Sequence, residues 1–349
     1  MEQFMVDVFV GLGASLEDAE ICADVLITSD KRGIDSHGVN RLKPMYYDRI
    51  RAGIQFPEAK YEVVRETSTT AVIDGHRGMG HATAKHAMEL AIEKAGEHGL
   101  GMVVVRNSTH YGIAGYYALM ATEAGMIGIT GTNARPSVAP TYGVEPMLGT
   151  NPLTIGMPSD EDFPFILDPA TSIIQRGKVE VYARTDEQLP EGLVIDSNGD
   201  YLTDPNLILE KLLKKEASFL PIGSKAETGG YKGYGYSTVV ELLSSALQGG
   251  AFLQAITGVN VGHFFLAINI EAFTELDSFK KTTGDILRAL RGSKRMPHEP
   301  RIYTAGEKEH LAWLERRDKG VPLNKSLQME TLQMRDELGL KTRFPFETD

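Results

Sequence analysis

Apolar residues in the first 50 positions recur at the spacing of a helix. Residues 15–18 (Ser-Leu-Glu-Asp) resemble a capping box, which opens a helix by satisfying its first backbone N–H groups. The apolar positions that follow share one face, at intervals of three and four residues: Ala19, Cys22, Ala23 and Leu26. This pattern predicts an N-terminal helical region that extends to about residue 50.

From residue 69 onward the pattern alternates between strands and helices. Strands are predicted at 69–74, 102–105 and 126–130, and helices between them at 82–98 and 114–123. Further elements are predicted as strands at 165–168 and 263–270 and as helices at 233–248, 278–291, 307–318 and 324–337. The alternation indicates an α/β domain. The chain around the turn at 196–200 is predicted to be rich in loops.

Composition bounds the class of protein. The 349 residues are 42% hydrophobic and 24% charged, which is enough to bury a sizeable core. Lys and Arg number 36 against 47 Asp and Glu, and the net charge of −11 argues against nucleic acid as a partner. The single cysteine, Cys22, excludes an intrachain disulfide and fits a reducing compartment. Because there is no basic leader and no apolar run of about 18 residues, we expect a cytoplasmic protein that does not bind membranes.

The common signatures of phosphate and metal binding are incomplete in this sequence. The stretches 11–13 and 78–80 begin like a dinucleotide-binding loop, but both lack its third glycine. His76, His81 and His86 are five residues apart, a spacing that spreads them around a helix. We therefore expect no metal site, and we expect these histidines to have surface or packing positions. Any dinucleotide would have to bind through a different kind of loop.

The stretch DSHGVNR at 35–41 admits two interpretations. It is either a helix end, with Asp35 or Ser36 as a cap and Arg41 in solvent, or a site. In a site, the His37 imidazole can move a proton near neutral pH, and the Arg41 guanidinium can hold a carboxylate. The local sequence leaves both interpretations open.

Polar, glycine-punctuated segments follow three of the predicted strands. They are Asn-Ser-Thr-His-Tyr-Gly at 107–112, Thr-Asn-Ala-Arg-Pro at 132–136 and Asp-Pro-Ala-Thr-Ser at 168–172. Ligands of α/β proteins gather at the carboxyl ends of strands, so these segments are predicted to line one pocket. Small-residue turns at 149–153 and 231–235 offer further places where backbone can approach a ligand.

Four motifs now stand in order along the chain. They are SHGVNR at 36–41, GTNP at 149–152, DPATS at 168–172 with Gly177-Lys178, and Lys232-Gly233. Together they resemble the malate/L-lactate dehydrogenase family, which also contains L-sulfolactate, ureidoglycolate and diketogulonate dehydrogenases. The resemblance runs from about residue 5 to about residue 320. Pro169 departs from the family pattern, in which methionine is frequent, and it removes a backbone N–H that could bind a cofactor.

The resemblance implies an architecture. The fold class would be α/β, with a non-Rossmann NAD(P)-binding domain on a mixed β-sheet and a discontinuous helical domain, like that of L-sulfolactate dehydrogenase. The two domains would comprise 1–68, 233–255 and 272–349 for the helical, dimer-contact domain and 69–232 and 256–271 for the NAD(P)-binding domain. The chain would form a homodimer, with the charged helical arm at 307–349 contributing to the contact.

The resemblance also implies an activity: an oxidoreductase that transfers hydride between NAD or NADP and a 2-hydroxy or 2-oxo acid. Malate and oxaloacetate are the leading expected pair, and lactate and pyruvate come next. Sulfolactate, ureidoglycolate or a sugar-derived oxo acid are the alternatives, and the sequence does not choose between NAD and NADP. A module that binds a dinucleotide without turnover and a metal-dependent lyase or hydrolase are the competing classes.

The same resemblance implies roles for individual residues. Either His37 or His110 moves the proton, and the sequence does not decide which. Arg41 is expected to clamp the substrate carboxylate, Arg135 to bind a second one, and Tyr46 to supply a hydroxyl at the pocket edge. The residues expected to contact the cofactor are Asn133, Ala134, Asp168, Pro169, Ala170, Thr171, Ser172, Lys178, Lys232, Gly233, Gly306, Glu307 and Lys308.

Some of these expectations are more specific. Asp168 is expected to bind a ribose hydroxyl, and Lys178 or Lys232 to face a phosphate. Gly38 and Gly112 are expected to leave room for the substrate beside the two histidines.

Overall fold

The structure is a computed structural model, and it describes residues 1–347. The helices are α1 (Glu2–Gly11), α2 (Leu16–Lys31), α3 (Asp48–Arg51), α4 (Gly80–His98), α5 (Ala114–Glu123), α6 (Arg176–Thr185), α7 (Pro205–Lys214), α8 (Gly230–Leu243), α9 (Leu276–Arg291), α10 (Glu307–Lys319) and α11 (Lys325–Glu337). The strands are β1 (Glu62–Glu66), β2 (Thr70–Asp74), β3 (Leu100–Ser108), β4 (Met126–Thr132), β5 (Leu153–Met157), β6 (Phe165–Leu167), β7 (Val194–Asp196), β8 (Ala217–Phe219) and β9 (Val261–Asn269). Short 3₁₀ turns lie at Val39–Arg41, Leu253–Ala255 and Ile270–Ala272, and a π-helix at Leu42–Tyr47.

A mixed sheet forms the centre of the described chain, in the strand order β1-β2-β3-β9-β4-β5-β6. Within this sheet, as described for residues 1–347, only β2 and β3 pair in parallel, through the crossover helix α4. Strand β9 lies between β3 and β4 and is antiparallel to both, so that His263 pairs with Val105 on one side and Thr132 on the other. The expected α/β class and mixed sheet are confirmed.

The direction of the strands explains why the polar segments meet. Strands β3 and β4 run the same way because each is antiparallel to β9, and β6 runs the same way because β5 is antiparallel to both of its neighbours. The chain therefore leaves β3, β4 and β6 at one edge of the sheet. The predicted gathering of 107–112, 132–136 and 168–172 follows from this arrangement.

The sheet is covered on both faces. On one face, α4 and α5 bury alanines and aromatic residues against the apolar side chains of β3 and β9, among them Val103 and Phe265. On the other face, Val240 of α8 packs with Val104 and Phe264. Apolar residues on both faces account for the continuous hydrophobic runs in the strand sequences.

The segment after β6 differs from the sequence expectation of a loop-rich chain, because it contains α6, α7 and the β7–β8 pair. These two strands are three residues each, which is too short for a periodicity to show. Helix α7 had a readable start, since the Asp204 side chain accepts hydrogen bonds from the N–H groups of Asn206 and Leu207, and Pro205 follows the cap.

The N-terminal helices and the C-terminal arm share one core. Phe344 packs edge-on against Phe4, with ring centroids 5.0 Å apart, and Met334 of α11 is fully buried. The Tyr47 hydroxyl donates to Glu337 at 2.6 Å. Met334 and Phe344 of the arm are thus buried within their own chain, whereas Leu311 and Met329 are exposed. Residues 348–349, the end of the predicted arm, lie outside the described residues.

No helix in residues 1–347 combines the length and the apolar character needed to cross a bilayer.

Candidate active site

A cavity of about 280 Å³ opens at the edge where β3, β4 and β6 end. Its walls come from the loop after α2, the start of α5, the GTNP turn, the DPATS segment and the start of α10. The lining residues are Arg32, Ile34, Ser36, His37, Gly112, Ile113, Ala114, Gly115, Leu119, Thr150, Pro152, Ile166, Asp168, Ala170, Gln175, Gly306 and Glu309. Four residues predicted from the sequence, His37, Asp168, Ala170 and Gly306, therefore face one space.

The DSHGVNR stretch builds one wall of this cavity and is more than a helix end. Helix α2 stops at Lys31, and Asp35 forms an ion pair with Arg316 of α10 instead of capping a helix. Arg41 is half-buried, and its Nε donates to the carbonyl oxygen of Ser36 at 2.5 Å. The turn thereby brings the Arg41 guanidinium close enough to the His37 ring for its charge to act on that ring.

Three imidazoles and one phenol form a continuous polar cluster beside the cavity. The rings of His37 and His110 are stacked, with centroids 5.7 Å apart and planes 18° from parallel. The Tyr46 hydroxyl lies 2.5 Å from Nδ1 of His110 and 2.9 Å from Nε2 of His81. Nδ1 of His37 lies 2.8 Å from the Ser36 hydroxyl. Tyr46 is fully buried, so it bridges two histidines instead of standing at the pocket edge as expected.

Burial keeps the histidines of this cluster neutral. Removal from water, aided by the charge of Arg41, lowers the pKa of His37 to about 4. Burial and the neighbouring His37, His81 and Arg41 hold the pKa of His110 well below its usual value. Burial also raises the pKa of Tyr46 well above 10. At neutral pH the cluster therefore offers uncharged rings that can accept a proton.

His81 of the cluster and one further histidine, His263, are buried and neutral as well. Burial lowers the pKa of both His81 and His263 to about 3. The two ring nitrogens of His263 are hydrogen-bonded to the hydroxyls of Thr132 and Ser108, each at 2.8 Å. Its ring stacks on Tyr111 with centroids 4.3 Å apart. His263 thus fastens β9 to both neighbouring strands.

Arg41 and Arg49 lie near the histidine cluster, and Arg135 lies near Arg49. Among the described residues, no carboxylate lies within ion-pair distance of Arg41, Arg49 or Arg135. Arg49 donates to the carbonyl oxygen of Gly258 at 2.9 Å, and the Arg135 side chain packs on the same glycine. Burial lowers the pKa of Arg41 and of Arg49. Arg135 is exposed, whereas Arg41 and Arg49 are partly removed from water, and unpaired guanidinium groups of that kind are suited to bind an anionic ligand.

The DPATS segment forms the opposite wall. The Asp168 carboxylate accepts hydrogen bonds from the N–H of Gly115 at 2.8 Å and from the Thr154 hydroxyl at 2.6 Å. Burial raises its pKa. Thr171 is tied to the GTNP turn through the carbonyl oxygens of residues 150 and 151. The Ser172 hydroxyl is buried and has no partner within residues 1–347, so it remains free for a ligand.

Asn133 and Ala134 are engaged within the protein. Asn133 accepts a hydrogen bond from the N–H of Gly262 at 2.8 Å and donates to the carbonyl oxygen of Ala251 at 3.1 Å. The N–H of Ala134 donates to the side chain of Asn151 at 3.2 Å. Both ends of the Asn133 amide are thus used to position this loop.

The other predicted cofactor residues occupy varied positions. Lys178, Lys232 and Lys308 are exposed, and each ammonium lies over a neighbouring tyrosine ring at 5.5, 5.8 and 4.9 Å from the centroid, respectively. The carbonyl oxygen of Pro169 accepts from the N–H of Leu153 at 3.2 Å.

Two of the predicted cofactor residues, Gly233 and Glu307, make contacts within the protein itself. Gly233 faces the backbone of Ile222, where a Cβ would come within 2.2 Å of the carbonyl oxygen. Glu307 is buried; its carboxylate pairs with Arg301 and accepts from the N–H of Thr304 at 3.1 Å.

Several residues at the site carried no readable signal in the sequence. Arg32 lines the cavity, and its Nε atom is buried without a partner in the part of the chain that the structure describes. Arg49, His81 and Asp30 lie outside the recognised motifs, and the folded chain brings them close to the motif residues. The π-helix that carries Tyr46 was also unexpected, although π-helical turns are frequent at functional sites. In residues 1–347 no three His, Cys, Asp or Glu side chains gather in a way that could hold a metal ion.

Comparison with known proteins places this site in a family. The model of the malate/L-lactate dehydrogenase family matches residues 1–332. The chain belongs to the malate/L-lactate dehydrogenase family. A malate dehydrogenase of Pyrococcus abyssi is 44% identical over 97% of this chain and 93% of its own. The resemblance expected from the motifs is confirmed.

Solved structures agree with this membership. The crystal structure of malate dehydrogenase from Entamoeba histolytica matches with a TM-score of 0.96 and 46% identity, covering 99% of this chain and 97% of that chain. Sulfolactate dehydrogenase from Methanocaldococcus jannaschii matches with a TM-score of 0.87 and 37% identity, covering 97% and 96%. Membership of the malate/L-lactate dehydrogenase family makes the chain an oxidoreductase that acts on a hydroxy acid, and it implies a nicotinamide cofactor.

Proposed function

We propose that this chain interconverts malate and oxaloacetate with NAD or NADP. The observation that carries the proposal is the pairing of two neutral stacked imidazoles, His37 and His110, with guanidinium groups that lack carboxylate partners. A guanidinium binds a carboxylate through two parallel hydrogen bonds, and a neutral imidazole can accept the proton of a hydroxyl. Oxidation of a hydroxy acid needs both functions at adjacent carbon atoms.

We assign the proton transfer to His37. Its Nδ1 atom is engaged by the Ser36 hydroxyl, and the ring lines the cavity, which leaves Nε2 for the substrate. As hydride leaves the substrate carbon, the substrate hydroxyl gives its proton to His37; in the reduction, the protonated ring returns it to the oxygen. The bound nicotinamide accepts or supplies the hydride. The low pKa of His37 suits the oxidation, which begins with a bare ring nitrogen.

A dicarboxylate is the substrate that the charges favour. Arg41 lies next to the imidazoles, and the side chains of Arg49 and Arg135 both contact Gly258. Malate and oxaloacetate carry two carboxylates and can pair with both groups, whereas lactate would leave one group unpaired. The proposal also agrees with the names of the relatives from Pyrococcus abyssi and Entamoeba histolytica.

The residues at the cavity fit a nicotinamide cofactor. Asp168, Ala170 and Gly306 face the space, and in the same DPATS segment the Ser172 hydroxyl is buried without a partner in residues 1–347. The Asp168 carboxylate would accept from a ribose hydroxyl, and the exposed Lys178 and Lys232 would face phosphate. We propose that 69–232 and 256–271 form the cofactor domain, and that the remaining segments form the helical one.

The test is a turnover assay at the absorbance of reduced nicotinamide, with each cofactor against a panel of 2-oxo acids. We expect oxaloacetate to give the highest kcat/KM, with pyruvate lower, and EDTA to leave the rate unchanged. Binding of NADH without turnover of any acid would instead indicate a binding module. Loss of activity to the chelator would indicate a metal-dependent enzyme.

We further propose that the chain forms a homodimer in the cytoplasm. Helix α8 exposes Tyr236, Val239 and Leu242 at intervals of three, and the exposed Leu247 and Phe252 follow. A row of large exposed apolar residues on one helix is typical of a subunit contact. Sedimentation at micromolar concentration should give a dimer, and Leu242→Glu should shift it toward the monomer. Leu213→Glu, on the exposed face of α7, is the matched control. An active wild-type monomer would contradict the proposal.

A further inference from the structure

A line of hydrogen bonds leads from helix α4 to the stacked histidines. The first residue of α4, Gly80, lies so close to the next loop that a Cβ there would be 2.4 Å from the carbonyl oxygen of Thr109 and 2.5 Å from that of His110. The Gly80 N–H donates to the Thr109 hydroxyl at 3.0 Å. This close approach of α4 brings His81, the next residue, into contact with Tyr46, which in turn contacts His110.

The direction of the hydrogen bonds can be read from their donors. The N–H of Gly112 donates to Nδ1 of His110 at 3.3 Å, so this nitrogen presents a lone pair. A phenol that approaches the same lone pair must donate, which directs the Tyr46 proton toward His110. The Tyr46 oxygen is then free to accept from Nε2 of His81 at 2.9 Å.

The remaining nitrogen of His81 supports the same arrangement. Nδ1 of His81 is buried and has no hydrogen-bond partner within residues 1–347. A neutral imidazole has one N–H, and placing it on Nε2 pairs it with Tyr46, whereas placing it on Nδ1 would bury an unpaired donor. The order of donation is therefore His81 to Tyr46 to His110.

We propose that His81 and Tyr46 are positioning residues that hold His110 as the tautomer with its proton on Nε2. His110 is half-buried, and its Nε2 atom has no hydrogen-bond partner in the described chain. The N–H is therefore available to donate to the oxygen of the substrate. This consequence rests on the proposed function, since it gives His110 the role of a hydrogen-bond donor and leaves the proton transfer to His37.

The two histidines would act on one oxygen in a complementary way. In the reduction, the N–H of His110 polarises the carbonyl of the oxo acid while protonated His37 delivers its proton to the same oxygen. In the oxidation, His37 takes the proton and the His110 N–H stabilises the negative charge that develops as hydride departs. A His110 ring with its proton on Nδ1 would present a lone pair to this oxygen and repel it.

The test is ¹⁵N NMR of protein labelled at histidine, without substrate, with His110 assigned by comparison with His110→Gln. The wild type should show a bare Nδ1 and a protonated Nε2 at His110. Tyr46→Phe should shift His110 toward a mixture of tautomers, His81→Leu should do so to a smaller degree, and His81→Gln should retain the wild-type pattern because an amide N–H can replace the donor. His86→Gln, on the same helix but paired with Glu89, is the control.

Kinetics provide the second readout. Tyr46→Phe should lower kcat by about 10- to 100-fold with little change in the KM for the acid, less than the loss for deleting an acid/base itself. His81→Gln should recover most of what His81→Leu loses. A wild-type spectrum with the proton on Nδ1 overturns the proposal even if the variants fail to fold. So do an unchanged His110 tautomer and unchanged kcat in folded Tyr46→Phe. Because the spectra need no turnover, a wild type inactive on every acid refutes the proposed function separately.

Discussion

The carboxylate of Asp30 fills the space in which a side chain at residue 38 would stand. A Cβ on Gly38 would lie 1.9 Å from Oδ1 of Asp30, and the other carboxylate oxygen accepts a hydrogen bond from the N–H of Val39 at 2.8 Å. The last turn of α2 is thereby fastened to the turn that carries His37 and Arg41. Gly38 makes room for Asp30, not for a substrate as the sequence suggested.

Gly112 has a similar local reason. Its φ of 80° is a conformation that glycine adopts readily, and a Cβ would lie 2.6 Å from a methyl group of Val25 and 3.2 Å from the His81 ring. The glycine of the segment after β3 thus allows α2 and α4 to approach the histidine cluster. Both glycines serve the site by shaping its wall.

Gly38→Ala should therefore damage both stability and activity. The methyl group must displace the Asp30 carboxylate and break its bond to Val39, and overpacking of this kind destabilises by about 1–3 kcal/mol. Urea unfolding measures the loss, and kcat/KM should fall because His37 and Arg41 move. Gly177→Ala is the control, since no atom lies within 4 Å of a Cβ there. A Gly38→Ala protein as stable and active as the wild type would refute this account of the turn.

The buried neutral state of His37 should make stability depend on pH. Burial holds its folded pKa at about 4, below the ordinary value of 6.5, so the unfolded chain binds the proton first as pH falls. The associated stability is complete above pH 6.5 and is lost progressively toward pH 4. At pH 5 the loss is about 2 kcal/mol, at about 1.4 kcal/mol per pH unit.

The variant His37→Gln isolates this contribution because its side chain does not titrate. Between pH 7 and pH 5, the free energy of unfolding of His37→Gln should gain about 2 kcal/mol relative to the wild type. Chemical denaturation at the two pH values measures the difference, and other titrating groups cancel in it. A difference that does not change with pH would mean that His37 carries its proton equally in the folded and unfolded chain.

Ser172 offers a direct test of the cofactor wall. Its buried hydroxyl has no partner within residues 1–347, so Ser172→Ala removes no hydrogen bond of the protein and should change stability by less than about 0.5 kcal/mol. If the hydroxyl binds the nicotinamide cofactor, the KM for NADH or NADPH should rise roughly 3- to 10-fold, since a neutral hydrogen bond contributes about 1 kcal/mol.

Ser244→Ala is the matched control for Ser172→Ala. The Ser244 hydroxyl is also buried without a partner in the described part of the chain, but Ser244 follows α8 and lies outside the DPATS segment, whose Asp168 and Ala170 line the cavity. Both variants should melt like the wild type, and only Ser172→Ala should weaken the cofactor. Equal cofactor KM values in the two variants would remove Ser172 from the site.

The sequence predicted those helices and strands whose apolar spacing is visible over their own length. Helix α5 begins and ends where its periodicity placed it, at 114 and 123, and the strands at 100–108 and 126–132 extend the predicted cores by a few residues. Two of the three strand-end segments, 107–112 and 168–172, contribute to the cavity wall as predicted, whereas no residue of 132–136 does. The antiparallel β9 between β3 and β4 could not be foreseen, since strand order depends on pairings more than 100 residues apart.

The polar contacts of the site show the limit more clearly. His81 gave no signal beyond its spacing, because its partner Tyr46 is 35 residues away. The partner of Asp30 lies in the tight turn at Val39, and Arg49 follows the π-helix at Leu42–Tyr47; neither structure has a reliable residue pattern. Motif residues were recognisable because they recur in a family, whereas the residues that orient them are specified by packing.

The final prediction distinguishes Arg41 from Arg135 by which carboxylate of the substrate each one binds. If Arg41 binds the carboxylate next to the reacting carbon, Arg41→Ala should raise the KM for oxaloacetate and for pyruvate alike. A lost charged pair of this kind is worth about 2–5 kcal/mol, which corresponds to roughly 30-fold or more. The KM for the cofactor should stay within about 2-fold, because the Arg41 side chain bonds the Ser36 carbonyl and does not line the wall formed by Asp168.

Arg135→Ala should behave differently, because Arg135 packs at Gly258 beside Arg49, away from the Ser36 turn. If it binds the second carboxylate, the variant should lose affinity for oxaloacetate but keep the wild-type KM for pyruvate, which lacks that group. Steady-state kinetics with both acids decide the matter, and Arg317→Ala, an exposed arginine on α10, is the control for charge alone. Equal losses of affinity for both acids in Arg135→Ala would place Arg135 at the first carboxylate. No loss of affinity for either acid would leave Arg49 as the residue that distinguishes a dicarboxylate from a monocarboxylate.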